Sequence, residues 1–142
     1  ALAVPDPGAE AGWSQLSGDQ IGCLLGEFLA ARGLEGSLAN SIVSSRLLAR
    51  IAEAHGLVHH TTLTGFKWIA RAPKLAFGYE EAIGFCPNPQ IARDKDGIAS
   101  SVVAASLFAA LKVEGRTAWD ELDRLAHAHG LHVTGPLTFR VE

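Results

Sequence analysis

The sequence predicts an α/β fold, a three-layer α/β/α domain with a mostly parallel, mixed central sheet. Three observations predict it. Short apolar segments alternate with amphipathic ones in the order β-α-β-α-β-(short α)-β-loop-α-α-β, and such alternation places helices between parallel strands. Side chains able to cap helices stand where the pattern changes: Ser17, Ser44, Asp94 or Asp96, and Thr117. The composition, 142 residues with 48% apolar and 19% charged, suits a single packed domain over 1–142 that needs no cross-links.

Each element has its own signal. Ala1 to Val4 reads as a short buried strand, followed by a Pro- and Gly-rich loop to Gly12. Trp13 to Leu16 leads into a helix whose start carries a capping box, Ser17 with Gln20. Ile21, Leu24, Leu25, Phe28 and Leu29 form its apolar stripe, and Gly33 stops it. Ser37 to Val43 predicts a strand. Ser44 predicts the cap of a second helix, with Leu47, Leu48 and Ile51 inward and Gly56 as the stop. Leu57 to Leu63 reads as a strand, Phe66 to Arg71 as a short helix, Leu75 to Tyr79 as a strand, and Glu80 to Arg93 as a long loop. The third long helix runs to Val113, with small residues on nearly every face, so it packs closely on more than one side. Thr117 opens the last helix, which buries Leu122, Leu125 and Ala126 and ends at Gly130. Leu131 to Val141 has strand character, broken at Gly135-Pro136.

Charge and cysteine usage exclude several functions. Twelve Lys and Arg against fifteen Asp and Glu give a net charge of −3, and the basic residues are scattered, which argues against nucleic acid as a partner. No apolar run approaches the roughly 20 residues of a membrane span. Two cysteines, Cys23 and Cys86, without metal spacing predict a reduced, cytoplasmic setting. No signal peptide is visible. The absence of Met predicts an excised piece of a longer protein.

Three clusters carry candidate chemistry. Gly78 to Phe85 delivers Glu80 and Glu81 between glycines at a strand exit. Ligands of open α/β sheets collect at such carboxyl ends, and a carboxylate there can accept from two neighbouring sugar hydroxyls. The pair also fits an ordinary exit with solvated acids. Arg93-Asp94-Lys95-Asp96-Gly97 precedes a helix. Asp96 fits as its cap, but a lysine lies on the wrong end of the helix dipole, so Lys95 suits an anionic ligand or a neighbouring carboxylate. Thr64-Gly65-Phe66-Lys67-Trp68 can present Lys67 to an anion or stack Trp68 on a sugar, with Phe66 reading as core. The histidines read as lone surface residues, and no P-loop, GxGxxG or nucleophile elbow is present.

In this order the three clusters, with Ser17-Gly18-Asp19-Gln20-Ile21-Gly22 before them, resemble the third domain of the α-D-phosphohexomutases, the phosphoglucomutase and phosphomannomutase enzymes. The resemblance implies a four-domain enzyme that moves a phosphoryl group between C1 and C6 of a hexose phosphate. It uses a phosphoserine, Mg²⁺ and a hexose 1,6-bisphosphate as intermediate and activator. It implies that Glu80 and Glu81 belong to the sugar loop and that Lys95 is catalytic. Substrate-binding roles follow for Lys67, Arg93 and position 82, where Ala82 stands in place of the family's more usual Ser. The phosphoserine loop, the Mg²⁺ ligands and the phosphate loop have no counterpart here, so partners in domains I, II and IV are implied and the fragment alone is expected to be inactive. Two other readings remain: a stand-alone sugar- or phosphate-binding module, and an interaction domain without ligand.

Overall fold

A computed structural model describes residues 1–140. Its main sheet has four strands in the order β4-β3-β5-β6: β3 Ser37–Ser41, β4 Val58–Thr62, β5 Leu75–Glu80 and β6 Gly84–Cys86. β3 pairs in parallel with β4 and β5, and β6 is antiparallel to β5. A separate antiparallel ribbon joins β1 Ala3–Pro5 to β2 Trp13–Gln15. The helices are α1 Gly18–Ala30, α2 Leu47–Ala54, α3 Phe66–Ile69, α4 Gly97–Val113 and α5 Ala118–His129. The long helices share one apolar cluster with Leu38, Phe77, Tyr79 and Phe85, while a second cluster gathers Phe66 and Ile69 of α3, Ala72 after it, and Ala39, Leu75 and Cys86 of the sheet. The predicted three layers and mixed, mostly parallel sheet are therefore present.

The capping box forms as expected: the Gln20 amide donates to Ser17 Oγ at 3.2 Å and the Ser17 amide to Gln20 Oε1 at 2.8 Å. What the apolar stripe did not reveal is how closely α1 lies on β5. Gly18, Gly22 and Gly26 recur every four residues along α1, on one helical face. A Cβ at Gly18 would lie 2.0 Å from the Glu81 carbonyl oxygen, and one at Gly22 would lie 2.4 Å from the Tyr79 ring. At Gly26 it would meet Leu48 Cδ1 at 2.6 Å and Phe77 Cε1 at 3.3 Å. The glycines bring helix backbone directly onto the strand and onto the loop that follows it.

A chain of charges ties the helices behind the sheet. Glu27 on α1 accepts from Arg124 of α5 at 2.6 Å and meets His55 Nε2 at 3.0 Å, and Arg124 also reaches Glu121 at 2.8 Å. Arg116 closes the chain on Glu121 and Glu114. Both Glu27 and Glu121 are buried, and Glu121 is held below the usual carboxylate range: burial pushes it up, but the arginine hydrogen bonds outweigh burial.

Several expectations are corrected. Ala1 to Val4 contributes to the small ribbon and not to the main sheet, and Trp13–Gln15 is its partner strand. Ser44 does not cap α2, whose N-cap is Arg46 without a side-chain bond, because the Ser44 hydroxyl is engaged with Glu81. The long loop contains β6. Residues 131–140 form no strand, since Gly135 and Pro136 interrupt pairing; Val141 of that expected strand lies outside the described residues. Asp96, not Asp94, caps α4, accepting from the Ala99 amide at 2.9 Å. His55 and His59 are not lone, because each holds a side-chain partner.

Gly22→Ala tests the close contact. In an ordinary helix interior the change gains about 1 kcal/mol of propensity; here overpacking against Tyr79 makes it a net loss of about 1–3 kcal/mol. Urea unfolding measures it, and a gain in stability would refute the contact. Gly26→Ala should cost less, because the end of the Leu48 side chain can move.

Candidate functional site

The parallel pairing of β3 with β5 brings their carboxyl ends together, with Asn40 beside Tyr79, so Ser41 and Glu80 leave the sheet at one edge. β5 then turns through Glu81, Ala82 and Ile83 into β6, and Ile83 takes a left-handed φ of 64°. That conformation closes a three-residue hairpin, at a cost for a β-branched side chain. The next residue is Gly84, buried under two side chains. A Cβ there would lie 2.8 Å from Glu80 Cγ, from Glu80 Oε1 and from Lys95 Cδ. Glu80 and Lys95 therefore lie side by side across one glycine.

Lys95 reaches this place because its segment is tied to β6: the Asp96 amide donates to the Phe85 carbonyl at 2.8 Å. Its ammonium is 3.1 Å from Asp94 Oδ1 and 5.1 Å from the centroid of the Phe66 ring, so a carboxylate and an aromatic face both attract it. Asp94 is held below its usual range, by the Lys95 backbone amide first and then its ammonium. Phe66 itself is buried, as expected, yet one face serves the lysine. Beside this pair opens a cleft of about 580 Å³, lined by Lys67, Arg71, Arg93, Asp94 and Lys95. Trp68 lies between two of the cations, 5.5 Å from Lys67 Nζ and 5.5 Å from the Arg71 guanidinium carbon. Four cations against one carboxylate make a seat for an anion such as a phosphate. Arg71 was missed in the sequence. It follows Lys67 by four residues, and that spacing on a helical turn was its only signal.

Glu81 has a different position. Its Oε2 accepts from Ser41 and Ser44 hydroxyls, each at 2.8 Å, and its amide donates to Ser44 Oγ at 3.3 Å. Burial pushes this carboxyl up, but the two serine hydrogen bonds outweigh it and hold it below the usual range. The carboxylate thus pins the loop to the end of β3. Ala82, at the exposed tip, offers only a methyl group.

Below the loop, polar groups form a connected chain. Asp19 Oδ1 accepts from the Ser45 amide at 2.7 Å and from Tyr79 Oη at 2.8 Å, and its Oδ2 accepts from Thr134 at 2.6 Å. Asn40 Nδ2 donates to Tyr79 Oη at 3.2 Å and to the Ser45 carbonyl at 2.9 Å. Asn40 Oδ1 meets His59 Nε2 at 3.0 Å. Asn40 and Ser45 in this chain adjoin the serine anchors Ser41 and Ser44, and Tyr79 precedes Glu80 on β5.

Among the described residues no three His, Cys, Asp or Glu side chains converge to hold a metal ion.

Residues 17–128 match the model of the phosphoglucomutase/phosphomannomutase α/β/α domain III. A probable phosphomannomutase of Haemophilus influenzae is 43% identical over 143 residues, covering 99% of this chain and 29% of that protein. The human phosphopentomutase is 31% identical over 151 residues, covering 94% of this chain and 24% of its own length. The structure of a phosphomannomutase from Thermus thermophilus aligns with a TM-score of 0.71 at 24% identity, over 81% of this chain and 26% of that one, which supports the fold. The chain spans less than a third of the length of the curated relatives it matches.

His59 makes the polar chain pH-sensitive. Burial first, and then His60, lower its pKa from 6.5 to about 4. The unfolded chain therefore binds this proton more readily, and the contribution to stability present above pH 6.5 is lost as pH falls toward about 4. His59→Gln, which keeps a donor for Asn40, should flatten that part of the stability–pH curve. Denaturant unfolding across this range measures it, and an unchanged slope would place the titration elsewhere.

Proposed function

Because the chain belongs to the phosphoglucomutase/phosphomannomutase family as its α/β/α domain III, we propose that it is the hexose-recognition domain of a cytoplasmic phosphohexomutase. The observation that carries this reading is the meeting of Glu80 and Lys95 across Gly84, at the edge of a cleft with three further cations. Glu80 accepts hydrogen bonds from adjacent sugar hydroxyls and so fixes the face of the ring that is presented. Lys67, Arg71 and Arg93 hold a phosphate as a charged, multidentate ligand. Lys95 stands close enough to Glu80 to face the reacting oxygen. Its charge stabilises the negative charge that develops as the phosphoryl group leaves or arrives. Phosphoryl transfer is mostly positioning and charge neutralisation, and these five side chains supply both for one side of the substrate.

The phosphoserine, the Mg²⁺ and the remaining phosphate contacts belong, on this reading, to domains I, II and IV of the longer enzyme. The 142-residue chain by itself should give no conversion of glucose 1-phosphate with Mg²⁺ and hexose 1,6-bisphosphate. Turnover above buffer would overturn the division of labour and make the chain a catalyst in its own right.

A second reading concerns the sugar. Ala82 provides no hydroxyl at the loop tip, and one relative at 31% identity is a phosphopentomutase. A pentose phosphate has fewer exocyclic hydroxyls to satisfy, so the loss of one contact costs it less. The ratio of kcat/KM for glucose 1-phosphate and ribose 1-phosphate in the full-length enzyme decides between the two. Ala82→Ser should shift the ratio toward the hexose.

Two substitutions in the full-length enzyme test the roles. Glu80→Gln should lower kcat/KM by about ten- to a hundredfold, since hydrogen bonds to a charged acceptor contribute roughly 1.5–3 kcal/mol, with the melting temperature unchanged. Unchanged kinetics would move the sugar contact away from Glu80. Lys95→Met should act mainly on kcat, because its charge matters most in the transition state. Parental kcat with a slightly raised melting temperature would reduce Lys95 to a solvated residue before a helix.

A further inference from the structure

Glu80 and Lys95 lie over one glycine and yet do not pair. A Cβ at Gly84 would come within 2.8 Å of Glu80 Oε1 and of Lys95 Cδ alike. Opposite charges this close attract each other, more so at a protein surface than in bulk water, and the lysine stem turns freely beyond Cδ. Among the described residues, however, no ion pair joins the two, and the Glu80 side chain accepts no hydrogen bond. The ammonium turns instead to Asp94 Oδ1 at 3.1 Å and to the face of Phe66. Asp94 is anchored independently of that ammonium. Its Oδ1 also accepts from the Lys95 backbone amide at 2.7 Å, a bond that stands wherever the lysine side chain points. The same amide is the first cause that holds the Asp94 carboxyl below its usual range, so it stays charged. The other acids nearby are engaged: Asp96 caps α4 through the Ala99 amide, and Glu81 is held by Ser41 and Ser44.

We propose that Asp94 is a positioning residue, a decoy counter-ion that holds the Lys95 ammonium away from Glu80. Without its charge, the carboxylate left beside the lysine is Glu80. An ion pair there would neutralise both groups. A sugar hydroxyl would then have to displace an ammonium before Glu80 could accept from it, and an anion in the cleft would meet one cation fewer. Asp94 lets an acceptor and a cation stand side by side without quenching each other. Such a decoy has to be weak, and this one is. The Asp94 and Lys95 side chains are 71% and 50% exposed, and exposed ion pairs hold together only loosely. A phosphate oxygen can therefore draw the ammonium off Asp94, while the Asp94 carboxylate keeps its bond to the backbone amide. The inference rests on Glu80 being the sugar contact of the proposed function.

The test is a double-mutant cycle in the full-length enzyme, with whichever of glucose 1-phosphate and ribose 1-phosphate it turns over faster. Asp94→Asn keeps an oxygen for the Lys95 amide and removes the charge. In the parent it should raise KM by about tenfold and leave kcat within about twofold, because a bound sugar occupies Glu80 and frees the lysine again. In the Glu80→Gln background the same substitution should change KM by less than about twofold, since no carboxylate remains to capture the lysine. The direct effect of taking a negative charge out of the cation cleft is common to both backgrounds and cancels in the comparison. Equal changes in both backgrounds, a parental KM that does not move, or a loss confined to kcat would each overturn the proposal and leave the Glu80 contact standing. If Glu80→Gln by itself alters neither KM nor kcat, the sugar contact is refuted and the role of Asp94 with it.

Discussion

The close approach of α1 to β5 is the constraint on which the remaining geometry depends. Gly18, Gly22 and Gly26 place helix backbone within contact of Glu81, Tyr79 and Phe77. Side chains at those positions would push the helix layer outward. Asp19 would then no longer reach Tyr79 and Ser45, and the loop after β5 would lose the surface it rests on. The glycines lower the intrinsic stability of α1 by about 1 kcal/mol each relative to alanine. Burial of Ile21, Leu24, Leu25 and Phe28 in the main cluster offsets this.

That proximity forces polar groups into the interior, where an unpartnered donor or acceptor costs about 1–3 kcal/mol. Asp19, Asn40, Ser41, Ser44, Ser45 and Glu121 are all buried, and among the described residues no buried side-chain nitrogen or oxygen lacks a partner. The chain from His59 through Asn40, Tyr79 and Asp19 to Thr134 spans the edge strand, the centre of the sheet, α1 and the segment after α5. Its satisfied state is specific to one register of the elements, since a one-residue slip in β3 would turn Asn40 to the other face.

The layers and the periodic helices were legible because they rest on local signals: the stripe and capping box of α1, the Thr117 cap of α5, and the alternation of apolar segments. What failed to show was set by tertiary contacts. Ser44 has the side chain of a helix cap, but a carboxylate 37 residues later takes its hydroxyl, and no local rule separates the two uses. β6 is three residues long and exists only because β5 is there to pair with it. His59 read as a surface residue because its partner, Asn40, lies on the neighbouring strand. At the site, Glu80, Lys95, Lys67 and Arg93 could be picked out by charge at predicted loops. That Glu80 and Lys95 share one glycine, and that Arg71 joins the cations, are facts of folding. The division between the two acids was equally hidden: adjacent in sequence, one lies beside Lys95 over Gly84 and the other is held by the serines.

The anchoring of Glu81 also has a thermodynamic meaning for ligand capture. Ser41 and Ser44 hold its carboxylate, Gly18 abuts its carbonyl, and Ile83 is fixed in a left-handed conformation. The backbone of the hairpin tip is thus immobilised before any ligand arrives. Ordering a flexible loop costs about 1–2 kcal/mol of entropy per residue, and a receptor whose loop is already ordered when ligand binds avoids that cost at the moment of association. A rigid edge means that every ligand meets the same preformed surface. The entropy of the loop is settled at folding, once, and not at every encounter.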